Sequence, residues 1–138
     1  YELGIGWTVQ LDREPFIGQD ALRAEKENGS KWQTRGVITD WPAFEKIWAQ
    51  YDLPPEICSM AWRSSIPIYN SAGTQVGYAT SGTLSPTLKQ NLAIAMLKTE
   101  YAGVGDTLFM ETTVEHTRHK VAVTVAALPF FNPERKRS

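Results

Sequence analysis

Apolar and polar positions alternate in several stretches of this chain. Trp7, Val9 and Leu11 interleave with Thr8, Gln10 and Asp12, a period of two that predicts a short strand with one buried face. After Pro15, the stretch from Phe16 to Asn28 reads as a helix, with Ile17 and Ala21 one turn apart and Asn28-Gly29 as a left-handed stop. Trp32 to Thr39 reads as a second strand. Asp40 caps a second helix with Pro42 in its first turn. Phe44, Ile47, Trp48 and Tyr51 fall at i, i+3, i+4, i+7, one helical face, and Pro54-Pro55 ends that helix.

From Ile57 onward the pattern is β. Ile66–Tyr69 and Gln75–Thr80 flank a loop, Asn70 to Gly73, that predicts a hairpin. Asn91–Lys98 is a run of small apolar residues, read as a buried strand, with a helix as the competing assignment. Leu108, Met110 and Val114 alternate into the next strand, and Val121, Val123 and Val125 into the last. Glu115–His119 joins the two as a hairpin. The fold class is therefore mainly β with two helices (α+β), and the short strand spacing favours a small antiparallel barrel or sandwich with helical decoration.

The chain has 138 residues, one domain's worth, and a net charge of −1. That balance gives no basic face for nucleic acid, and no apolar run reaches the length of a membrane-spanning helix. One cysteine, Cys58, fits a reducing, cytoplasmic setting. The chain opens Tyr1-Glu-Leu-Gly4 without methionine or a charged-then-apolar leader, which is read as a piece cut from a longer protein.

The reactive residue types do not assemble into a centre on sequence grounds. His116 and His119 sit in a hairpin with only Glu115 beside them. A zinc site needs three or four protein ligands, so no metal is expected, and the two histidines are read as facing solvent. Cys58 has no local base or positive charge and is read as a buried structural thiol. Gly73, Gly77 and Gly82 lack the spacing of a nucleotide loop. The tryptophans could stack on an aromatic cofactor, although most are expected to anchor core or interface. Arg35 and Arg63 could each pair a ligand carboxylate in two-point fashion. The tail Arg135-Lys136-Arg137 could hold an anion.

Three blocks together resemble the glycine cleavage T-protein family. They are Gly4-Ile-Gly-Trp-Thr-Val9 with Phe16-Ile-Gly-Gln-Asp-Ala-Leu22; Gly77-Tyr-Ala-Thr-Ser-Gly82 with Ser85-Pro-Thr-Leu88 and Asn91; and Leu128-Pro-Phe-Phe131. The resemblance implies a C-terminal aminomethyltransferase-type β-barrel of about six strands over 16–138, with 1–15 as the end of a preceding folate-binding domain. It implies tetrahydrofolate as cofactor of the whole protein and one-carbon transfer as its reaction. The upstream folate domain and a lipoyl carrier protein are the implied partners. The family's catalytic aspartate lies upstream, so no catalytic residue is expected in this chain. Residue by residue, Arg35 matches a structural arginine, and Arg63 and Arg135 match candidate folate contacts. The helix from Trp41 to Tyr51 is an insertion relative to the family. A non-catalytic interaction barrel, or the folate part of a dimethylglycine or sarcosine oxidase or of a demethylase, remains an alternative at this point.

Overall fold

The computed structural model describes residues 1–133. Arg135 lies outside the described residues. Six strands close into an antiparallel barrel in the order β1-β4-β3-β2-β5-β6. They are β1 (Trp32–Thr39), β2 (Ile66–Tyr69), β3 (Gln75–Ser85), β4 (Gln90–Lys98), β5 (Thr107–Val114) and β6 (Thr117–Ala126). Helix α1 (Gln19–Asn28) precedes β1, and α2 (Trp41–Ala49) sits between β1 and β2.

The barrel interior is built from the alternation seen in the sequence. Val121, Val123 and Val125 of β6 are each 1% exposed, and Leu108, Met110 and Val114 face them from β5. The small-residue run does form a strand. Ala95 pairs with Ala79 of β3, and neither is exposed at all. Two methyl groups across that pair let the wall close tightly around the larger Ile68 and Leu97. The β1–β4–β3 side is long and continuous, with one bulge between Ala79 and Ser81. The β2–β5 seam is short, formed by the pairs Ile68↔Met110 and Tyr69↔Phe109.

Two glycines are fixed by close approach rather than by turn geometry. A Cβ on Gly36 of β1 would come within 2.4 Å of Phe130 Cε1. This explains why the closing Leu128-Pro-Phe-Phe131 block returns to β1: the ring occupies the space a side chain would take. A Cβ on Gly82 would likewise meet Trp62 Cζ2 at 2.4 Å.

Four expectations are corrected. Trp7–Leu11 forms no strand; Gly6–Thr8 is a 3-10 turn, closed by the Thr8 hydroxyl donating to the Ile5 carbonyl at 2.7 Å. The alternating residues do not pair with the open edge of β1, which β6 leaves free before Gly36. Next to β1 on that side, the N-terminal segment makes one ladder-like bond, Thr34 N–H to Glu2 O. Helix α1 starts at Gln19, not Phe16, because Gly18 stands in the left-handed region at φ 91°. The β pattern does not begin at Ile57: the stretch from 52 to 65 is irregular, apart from a single bridge between Trp62 and Gly82. The last hairpin turn is only Glu115-His116, not the whole of Glu115–His119, and both turn residues have positive φ (46° and 63°). That is the mirror-image turn whose twist matches a two-residue β connection.

Candidate functional site

A cleft at one mouth of the barrel encloses about 380 Å³. Helix α2 covers this mouth. Its first turn is held by the Asp40 carboxylate, which accepts from the Ala43 N–H at 3.0 Å, and by Pro42, whose missing N–H costs nothing there. Phe44 and Ile47 turn inward and are buried. Trp41, Phe44 and Trp48 make one wall, with ring centroids 5.6 Å and 6.0 Å apart in tilted and edge-on pairs. The Trp41 indole N–H donates to Glu45 Oε1 at 2.6 Å, which fixes that ring.

A fourth ring comes from the irregular segment. Trp62 and Gly82 exchange both backbone bonds, at 3.0 Å and 3.1 Å. The indole lies against the bare α-carbon of the glycine. The Thr-Ser-Gly block thus has a local physical role: its glycine seats the tryptophan of the cleft. The end of α2 is tied down as well. Tyr51 Oη and His119 Nε2 lie 2.7 Å apart, with the rings edge-on at 5.6 Å. His119 is therefore half-buried and partnered, contrary to the solvent-facing expectation, whereas His116 is exposed in the turn. Strand β6 carries the one inward toward Tyr51, and the turn carries the other away.

Cys58 is exposed and lines the cleft, so the buried-thiol expectation is corrected. The reason is that its segment has no sheet partners around it and lies over the barrel mouth rather than in the core. Among the described residues, the charged ones lining the cleft are Glu56 and Glu111. Glu111 accepts from the Tyr69 hydroxyl at 3.2 Å and lies 3.7 Å from Arg118 Nε. Desolvation, then the Glu111 charge and hydrogen bond, hold the Tyr69 phenol above its usual range, with Arg118 opposing. Among the described residues, the buried side-chain polar atom without a hydrogen-bond partner is Trp48 Nε1. No group of three or more potential metal ligands occurs among the described residues.

Arg63 is exposed, between Trp62 and Ser64, which both line the cleft, although Arg63 itself does not. Arg35 does not line this cleft: it donates to the Ala102 carbonyl at 2.9 Å and to Gln33 Oε1 at 2.6 Å, a structural tie. The cleft was not read from the sequence, because it draws on all six strand ends. The available signal was the crowding of Trp41, Trp48 and Trp62 into one poorly patterned stretch.

Comparison with known proteins places this geometry in a family. The model of the glycine cleavage T-protein C-terminal barrel domain matches residues 53–132. An aminomethyltransferase of Desulfitobacterium hafniense is 35% identical over 107 residues, covering 78% of this chain and 24% of that protein. One from Halalkalibacterium halodurans is 30% identical over 130 residues, covering 94% of this chain and 30% of that protein. The chain thus spans less than a third of the length of these relatives. The crystal structure of the glycine cleavage system aminomethyltransferase T from Bartonella henselae superposes with a TM-score of 0.69 over 94% of this chain and 31% of its own, at 17% identity, a likeness of fold. With a closed six-stranded barrel, the Thr-Ser-Gly and Leu-Pro-Phe blocks in structural roles and a family match over most of the barrel, this chain belongs to the glycine cleavage T-protein C-terminal barrel family.

Proposed function

We propose that this chain is the closing barrel of a tetrahydrofolate-dependent aminomethyltransferase-type protein, and that it completes a one-carbon transfer site built mainly by an upstream domain. The observation that carries this reading is the family match over 53–132. The relatives it aligns with, aminomethyltransferases by name, are matched over only 24% and 30% of their length.

The surface supports a missing neighbour. Trp7 is 83% exposed and Ile17 is fully exposed, and Leu3, Ile5 and Phe16 join them on the N-terminal segment. Large apolar side chains gathered on one segment mark a contact surface. Residues 1–15 then act as the end of the preceding folate-binding domain and 16–138 as the barrel domain. In this arrangement tetrahydrofolate binds mainly upstream. Arg63, exposed beside the cleft, and Arg135 of the tail offer guanidinium groups to the folate's glutamate carboxylates. A lipoyl carrier protein would deliver the aminomethyl group.

The test of this assignment is Arg63→Ala in the natural full-length protein. Tetrahydrofolate affinity is expected to fall roughly 10-fold, as for one charge-assisted contact of about 1.5 kcal/mol or more. An unchanged affinity would remove Arg63 from the site.

A further inference from the structure

We propose that the cleft beneath α2 binds a small alkylammonium cation. The inference does not rest on the folate reading; it rests on the lining of the cleft. Trp41, Phe44 and Trp48 form a continuous aromatic wall, and Trp62 adds a fourth ring from a different element. The faces of aromatic rings carry negative electrostatic potential and attract ammonium groups, tryptophan most strongly. The ring set is held in place: Trp41 by its bond to Glu45, Trp62 by the glycine it covers.

The charge of the lining selects the sign of the occupant. Among the described residues no lysine, arginine or histidine lines the cleft, whereas two glutamates do. Glu111 is committed to Tyr69 and Arg118. Glu56 forms no ion pair among the described residues. An anion entering here would meet carboxylate, whereas Glu56, exposed and without an ion-pair partner among the described residues, is open to a cation. A cation with alkyl substituents satisfies both the rings and the carboxylate. The volume of about 380 Å³ lies at the small end of ligand pockets and suits a compact ion.

The test compares choline with its neutral carbon isostere 3,3-dimethylbutan-1-ol on the full chain, by tryptophan fluorescence and calorimetry at constant ionic strength. Saturable binding of choline, tighter than the isostere by roughly 3- to 30-fold, is expected from the cation–ring attraction. Glu56→Gln, at an exposed position, is expected to weaken choline severalfold while leaving the melting temperature in place. Trp41→Leu should weaken it further. Equal binding of the two probes, no saturable signal, or choline binding indifferent to both substitutions would overturn the proposal.

Discussion

Trp62 lies across the α-carbon of Gly82, and the two residues exchange both of their backbone hydrogen bonds. This contact joins the irregular segment after α2 to the Thr-Ser-Gly strand, and so builds the floor of the cleft.

Gly82→Ala puts a methyl group 2.4 Å from Trp62 Cζ2 and 2.8 Å from the Leu92 carbonyl oxygen. The ring can swing, but the carbonyl belongs to the barrel wall and cannot. We expect a loss of about 1–3 kcal/mol from overpacking, seen in urea unfolding. A stability unchanged within error would show that the segment around Trp62 gives way freely and that the cleft floor is not fixed.

Gly36 and Phe130 form the corresponding contact at the C-terminal return. Gly36→Ala alone is expected to cost about 1–3 kcal/mol. In combination with Phe130→Ala the costs should fall short of additive by about 0.5–3 kcal/mol, as for residues in direct contact. Additive costs in a double-mutant cycle would mean that the ring does not rest on β1.

The Tyr51–His119 bond ties the end of α2 to β6 at 2.7 Å. Tyr51→Phe removes the hydroxyl and should cost about 0.5–1.5 kcal/mol. The same substitution made on a His119→Leu background should cost markedly less. Equal costs on both backgrounds would show the bond to be idle.

The turn at Glu115-His116 holds two non-glycine residues at positive φ. Each such residue costs about 1–2 kcal/mol against the ordinary right-handed conformation. His116→Gly should therefore raise stability by up to about 1 kcal/mol, measurable as a higher melting temperature. A fall in stability would indicate that the exposed imidazole makes a contact worth more than the strain.

Much of the barrel was legible because its strands bury one face each, so β5 and β6 write their alternation directly into the chain. Helix α2 was legible from Asp40 and the spacing Phe44, Ile47, Trp48, Tyr51, of which Phe44 and Ile47 are indeed buried. The same alternation misled at Trp7–Leu11, where the chain closes a local 3-10 turn over Gly6–Thr8 instead of pairing with a strand. Gly18 shortened α1 through a positive φ that no apolar pattern encodes. Cys58 was misplaced because burial of a loop thiol depends on what the loop crosses. The cleft needed the whole topology: Thr39, Ile66, Leu84, Asn91 and Thr112 reach it from five different strands.

As proposed, this barrel completes a folate site that lies mainly in an upstream domain. The most direct measurement is a calorimetric titration of tetrahydrofolate, anaerobic and reducing, into the natural full-length protein and into this 138-residue chain. Saturable binding by the full-length protein and little or none by the chain alone is expected. No binding by the full-length protein would contradict it, and so would equally tight binding by the isolated barrel.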